Sequence, residues 1–341
     1  MDKKNILVIR FSALGDVAMT VPVVAEVAKK YDANITILTK NAFGPLFATL
    51  ENITVFSPDF NQQHKGFFGL WRLFRELRQM QKWNAVVDLH DVLRTKVVRL
   101  LFCLSGTKVA VINKNRSEKK QLTRRKNKKL HQVPFVQDEY AKTFERIGFP
   151  VEVKPVCLYD KNIKLPGELV NITGEKSTKW IGIAPFAKHE TKMYPLACME
   201  KVIEYFSSNN IKIFLFGGGK HETDILNRLQ DKYSNTISLA GKVSFENELR
   251  IMSHLDCVLT MDSGNMHLAN LVNVPVVSVW GATHPYTGFL SKGNLQNEQV
   301  QLQLDCRPCS VFGNKSCYKG TNECLNINSQ VIIEAIERKI L

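Results

Sequence analysis

Short runs of β-branched residues alternate with amphipathic stretches along most of the chain. Asn5–Ile9 has the composition of a buried strand, and in Val17–Lys30 the apolar residues Val17, Val21, Val24, Val27 and Ala28 fall on one helical face. The same reading gives strands at Ile35–Leu38, Ala85–Leu89 and Lys108–Ile112 and helices at Phe67–Met80, Val92–Leu104 and Asp138–Ile147. After proline-punctuated residues the alternation resumes with strands at Trp180–Ala184, Ile211–Phe216, Cys257–Thr260 and Val274–Val279. Helices are expected between them, over Ala197–Ser207, onward from His221, and over Asn247–His254 and Met266–Val272. Strands that alternate with helices form parallel sheets covered by crossover helices, so each half reads as a doubly wound α/β layer domain. The junction falls in Lys161–Lys176, which gives domains of 1–165 and 166–341.

A length of 341 residues suits two such domains. The 46 Lys and Arg against 32 Asp and Glu leave a net charge of +14, which favours an anionic partner without choosing among nucleic acid, membrane and phosphorylated substrate. The first apolar run, Ile6–Ile9, is ended by Arg10 and is shorter than a secretory or spanning segment, so a cytoplasmic chain is expected. The alternation breaks at 113–132, where basic residues from Lys114 to Lys129 read as a solvated, mobile loop.

Open α/β sheets carry their chemistry in the loops at the carboxyl ends of strands. Four such loops stand out. In Arg10–Asp16, Ser12, Ala13 and Gly15 let backbone amides approach a ligand, and Asp16 reads either as a first-turn carboxylate or as a general base. In Met261–His267, Ser263 and Gly264 could cradle a phosphate, while the same residues also make an ordinary turn and His267 an ordinary structural histidine. Lys192, ahead of Pro195, could neutralise a diphosphate or simply be solvated. Gly217–Gly219 precede Glu222, which could bind ribose hydroxyls or serve as an acidic first-turn residue. Neither a dinucleotide fingerprint nor a Walker loop is present.

Taken in order, Arg10–Val17 (RFSALGDV), Lys192–Pro195 (KMYP), Gly217–Glu222 (GGGKHE) and Asp262–His267 (DSGNMH) resemble the lipopolysaccharide heptosyltransferases, glycosyltransferase family 9, over nearly the whole chain. The resemblance implies a GT-B architecture, with two Rossmann-like domains facing a central cleft, an acceptor in the first and an ADP-sugar in the second. It implies an inverting glycosyltransferase that needs no cofactor beyond the ADP-sugar co-substrate, with heptose as the sugar transferred, and an acceptor of the lipid A–core type. Asp16 matches the catalytic base, Lys192 the donor-phosphate lysine, Glu222 the ribose ligand, and Asp262, Ser263, Gly264 and His267 the donor loop. Tyr194 stands where the family usually has Trp, and Ala187 and Lys188 replace small hydroxyl residues, which leaves the donor open to another nucleotide-sugar.

Acceptor contacts are expected from Ser12, Gly15 and Arg94 and, in the basic block, from Arg124 and Arg125. Arg72, Arg75 and Arg78 set a cationic stripe beside the apolar face of the Phe67–Met80 helix; this reads either as a contact for an anionic surface or as a solvated outer face. An anionic glycolipid at the inner membrane surface is therefore the expected partner of a peripheral, monomeric enzyme. Nucleic acid is not, because the block lacks interleaved aromatics and no helix-turn-helix or zinc-finger spacing occurs. A metal is not expected at the catalytic centre. Cys306, Cys309, Cys317 and Cys324 read as thiols or a local disulfide, with structural zinc the lesser alternative. Cys103, Cys157, Cys198 and Cys257 read as small core residues, and the last helix is left open to packing back on the first domain.

Overall fold

The computed structural model describes residues 3–291 and 297–341. It falls into two compact units, one of residues up to Lys114 with Pro134–Leu158, the other of Asn115–Val133 with Tyr159–Leu341. The elements run β1 (Asn5–Ile9), α1 (Leu14–Ala18), α2 (Val21–Tyr31), β2 (Asn34–Leu38), β3 (Ile53–Phe56), α3 (Gly66–Met80), β4 (Ala85–Asp88), α4 (Leu93–Leu104), β5 (Lys108–Val111), α5 (Arg116–Leu122) and α6 (Val136–Glu145). They continue with α7 (Gly167–Thr173), β6 (Trp180–Ala184), α8 (Leu196–Ser208), β7 (Lys212–Leu215), α9 (Lys220–Lys232), β8 (Thr236–Ser238), α10 (Phe245–Ser253), β9 (Cys257–Met261), α11 (Gly264–Leu271), β10 (Val276–Trp280), β11 (Glu298–Gln301) and α12 (Ser329–Ile340).

The first unit holds a five-stranded sheet in the order β3-β2-β1-β4-β5, and the second a six-stranded sheet in the order β11-β10-β9-β6-β7-β8. Every pairing is parallel. Parallel sheets are covered on both faces, and the central strands accordingly read as continuous apolar runs. Ile6–Ile9 of β1 and Trp180–Ala184 of β6 are buried throughout. Each sheet changes direction once, between β1 and β4 in the first unit and between β6 and β9 in the second. Two adjacent strand ends then send their loops opposite ways and open a crevice.

The expected Val17–Lys30 helix is two helices. Pro22 lacks an N–H and suits the first turn, so α2 restarts there, while the Thr20 hydroxyl donates to the Val17 carbonyl at 2.7 Å and closes α1. The basic block is not simply a loop, because α5 forms within it and buries Leu122. It packs with the second unit rather than with the first, where a single cut at 165 places it: the Val133 amide donates to the Tyr286 carbonyl at 3.0 Å, and Lys119 lies over the Phe289 ring. The short strands β3, β8 and β11 and helix α7, inside the expected linker, carry too few residues for a visible period. The apolar stripe of α12, with Ile332, Ile333, Ile336 and Ile340, is buried in the second unit's own core. Of the four cysteines read as core residues only Cys257 is buried; Cys103 and Cys157 are exposed and Cys198 is half-buried.

On α10, burial raises the Glu248 carboxyl from 4.5 to about 7. An unfolded chain releases this proton near 4.5 while the folded chain keeps it, so stability falls as pH rises between those values and is flat above them. Glu248→Gln is therefore expected to raise Tm by a few degrees at pH 8 and by less at pH 5, as read by thermal melts across that range.

Candidate active site

In the first unit the crevice lies between the loops that follow β1 and β4. Arg10, at the end of β1, is buried. Its Nη1 donates to the Leu89 carbonyl at 2.6 Å and its Nη2 pairs with Asp16 Oδ2 at 2.5 Å. Burial works against the guanidinium charge, but Tyr140, Asp16 and Asp88 together outweigh it and hold the Arg10 pKa above its ordinary value. The Ala13 amide also donates to Asp16 Oδ2, at 3.2 Å, and the Tyr140 hydroxyl donates to the Asp16 carbonyl at 3.3 Å. The Arg10 and Ala13 contacts both use Oδ2. The carboxylate is thus clamped by one oxygen, and a quarter of its side-chain surface is open to solvent.

The β4 loop is ordered by Asp88, which is buried and accepts from the His90 and Asp91 amides at 2.9 and 2.8 Å and from Arg99 at 2.9 Å. His90 is thereby fixed, and its Nδ1 accepts from the Phe11 amide at 3.3 Å. Burial first, then the charges of Arg10 and Lys114, lower the His90 pKa to about 4, so the ring is neutral at pH 7 and Nε2 carries its proton. Beside it is a cavity of about 440 Å³ lined by Ser12, Thr39, Lys40, Phe60, His90 and Arg94 among others. Arg94 stacks over the Phe60 ring at 4.9 Å, and the buried Thr39 hydroxyl has no hydrogen-bond partner among the described residues. Aromatic faces, two cations and a free hydroxyl suit a polyhydroxylated anionic ligand.

In the second unit Lys192, Glu222, Asp262 and Thr283 follow β6, β7, β9 and β10, which are neighbours in the sheet, so all four lie along one edge. Lys192 Nζ pairs with Asp262 Oδ2 at 3.0 Å with both side chains largely buried, and the Thr283 hydroxyl donates to the same oxygen at 2.7 Å. Ser263 is the N-cap of α11, its hydroxyl 3.1 Å from that of Thr260, and Gly264 begins the helix. The head of α11 therefore directs orphan amides toward the edge that holds Lys192. His267 is buried, with Nδ1 3.0 Å from the Ser291 hydroxyl. Glu222 Oε2 accepts from the Gly218 amide at 2.8 Å, which shapes the glycine turn.

The loops around this edge are braced by the cysteine-rich segment. Arg307 is buried and donates to the carbonyls of Gly281, Trp280, Thr283 and Leu302. The Thr191 hydroxyl donates to the Gly313 carbonyl at 2.5 Å, and a Cβ on Gly313 (φ 76°) would lie 2.5 Å from Cγ and Cδ of Lys192. Gly313 thus makes room for the lysine stem. Amides from residues 319–322 lower the Cys317 thiol. Cys306, Cys309, Cys317 and Cys324 are thiols, with no disulfide among them. Among the described residues no three His, Cys, Asp and Glu side chains are placed so that they could hold a metal ion.

The expected residues thus separate into two groups. Ser12 and Arg94 line the cavity of the first unit, and Asp16, next to Gly15 in α1, is held by Arg10 at the end of β1. In the second unit Lys192 meets Asp262, and Ser263 and Gly264 follow Asp262 at the head of α11. His267 lies within α11, and Glu222 is one strand away. Arg124 and Arg125 belong to the second unit: they are exposed on its segment 115–133, where Arg125 lies over the Tyr318 ring at 4.6 Å. Arg10, Lys40, His90, Thr283, Arg307 and Gly313 received no role from the sequence. Lys40 and His90 follow strand ends, and that position could have singled them out.

The sequence pattern of "Glycosyltransferase family 9 (heptosyltransferase)" matches residues 70–318. The lipopolysaccharide core heptosyltransferase OpsX of Haemophilus influenzae is 23% identical, the match covering 98% of this chain and 96% of that protein. The crystal structure of a family 9 glycosyltransferase from Veillonella parvula superposes with a TM-score of 0.76 at 19% identity, covering 100% of this chain and 98% of that one. The structure of E. coli ADP-heptose lps heptosyltransferase II gives 0.70 at 17% identity and 98% of each chain. The chain belongs to glycosyltransferase family 9, the heptosyltransferase family, and is a glycosyltransferase built from two doubly wound units of the GT-B fold class.

Proposed function

We propose that the protein transfers a heptose from ADP-heptose to the core of a lipopolysaccharide acceptor, with inversion at the anomeric carbon. The observation that carries this reading is Lys192 held beside Asp262 at the head of α11, at the switch point of the second sheet, in a chain of this family. Support for the donor comes from the relative whose name includes ADP-heptose, and for the acceptor from the core heptosyltransferase that matches nearly the whole chain.

In this mechanism the acceptor hydroxyl attacks the anomeric carbon as the bond to the diphosphate breaks. The hydroxyl proton passes to Asp16, and the bonding pair leaves with ADP. Clamping by Arg10 and the Ala13 amide restrains the carboxylate, so the proton-accepting oxygen needs little reorganisation. Negative charge that grows on the leaving diphosphate meets the Lys192 ammonium and the amides of Ser263 and Gly264, with His267 behind them. Glu222 takes the ribose hydroxyls. Ser12, Gly15 and Arg94 orient the acceptor, Lys40 and His90 joining them, while Arg124 and Arg125 meet its phosphates. The enzyme acts at the cytoplasmic face of the inner membrane, as a monomer.

Incubation with ADP-heptose and a heptose-deficient core acceptor should add one heptose and release one ADP, as read by mass spectrometry; conversion of donor without acceptor would point to an epimerase instead. Asp16→Asn is expected to lower kcat by about 10²–10⁴-fold with donor KM nearly unchanged, the loss typical of a removed general base. An Asp16→Asn protein with wild-type turnover would take Asp16 out of this role. Gly313→Ala should displace the Lys192 stem and raise donor KM or lower kcat by roughly 10- to 100-fold, with an unaltered circular dichroism spectrum.

A further inference from the structure

We propose that the outward face of α3 and α4 docks on the surface of an anionic phospholipid bilayer. The two helices lie side by side on one face of the first sheet, the Phe74 and Phe102 rings meeting at 4.9 Å, and their inner residues fill its core. A helix that merely covers a sheet shows a polar outer face. These do not. In its first two turns α3 exposes Phe67, Phe68 (86% accessible) and Trp71, and α4 exposes Leu93 (79%), Leu100 and Leu104. Arg72, Arg75 and Arg78 continue the exposed arc of α3, and Lys96 lies on the outer side of α4. The two helices hold one acidic residue, Glu76, and it is bonded to His64 at 3.0 Å.

This chemistry selects the occupant. A second copy of the chain is disfavoured, because a twofold contact would set the arginine stripe against itself without carboxylates to answer it. Nucleic acid would use the arginines but would leave the exposed phenylalanines and leucines without a role. A bilayer interface uses both, with aromatic and aliphatic side chains at headgroup depth and cations on the phosphates. The face is also continuous with the cavity of the first unit, since Leu93 and Arg94 open α4 and line that cavity. A bilayer seated here would present a glycolipid headgroup at the cavity mouth. In this respect the proposal rests on the lipid-linked acceptor of the proposed function.

Sedimentation of the full chain with vesicles of phosphatidylcholine alone, or mixed with phosphatidylglycerol, tests it. Binding is expected to the mixed vesicles and much less to the neutral ones. Arg72→Glu with Arg75→Glu should weaken it by roughly 30-fold or more, and Phe68→Ser with Trp71→Ser by roughly 10-fold or more. All four side chains are exposed, so the melts of these variants should match the wild type, as should turnover of Phe68→Ser with Trp71→Ser on a deacylated, water-soluble acceptor. Variants that bind the mixed vesicles as the wild type does would overturn the proposal, as would substitutions that abolish a dimer or duplex DNA binding and leave vesicle binding intact. Vesicle binding is independent of turnover: a wild type inactive with every heptose donor but dependent on these residues for vesicle binding would sink the proposed function and leave the docking face standing.

Discussion

A parallel sheet wrapped on both faces has no polar face, and this constraint organises both units. Charged side chains can leave such a core only at the strand ends, and they gather where the strand order reverses, because two loops diverge there and leave room. In the first unit that point is between β1 and β4, and it holds Arg10, Asp16 and His90. In the second it is between β6 and β9, and it holds Lys192 and Asp262. The two units repeat one solution with different residues, an acid fixed by a cation in one and a cation fixed by an acid in the other.

Both ion pairs are largely buried, and in such a setting attraction and desolvation nearly cancel. Their value is therefore positional more than energetic. Arg10 binds a backbone carbonyl as well as Asp16, and Thr283 shares the Asp262 oxygen that meets Lys192, so each pair is tied to a neighbouring strand end. Arg307 extends this bracing, since its bonds to the loop after β10 include the carbonyl of Thr283 itself. The cysteine-rich segment thus braces the edge that holds Lys192 and Asp262 through backbone contacts and glycine geometry, without requiring its thiols to do chemistry.

Most of the fold was legible because buried strands and amphipathic helices leave strong periods, as β6, β9 and α8 show. Short edge strands such as β3 and β8 leave little, and the break between α1 and α2 depends on one proline whose meaning is positional. Charge density at 113–132 suggested solvation and concealed the single buried Leu122 that anchors α5. At the sites, the loop motifs were readable because each is contiguous. Their supports were not: Thr191 and Gly313 lie 122 residues apart, and no local pattern encodes such a contact. The cavity of the first unit was half visible, through Ser12 and Arg94, while Lys40 and Phe60 come from other strand ends.

The interleaving of the units also has a consequence for synthesis. Residues 115–133 emerge before 159–341, yet the groups they pack on, Tyr286, Phe289, Pro308 and Tyr318, are among the last third of the chain. During translation this cationic excursion waits outside a nascent first unit that must close around it, joining 1–114 to 134–158. Growth from the ribosome therefore cannot complete the molecule one lobe after the other. The first lobe can mature early, but its looped-out segment is seated only when the end of the polypeptide arrives.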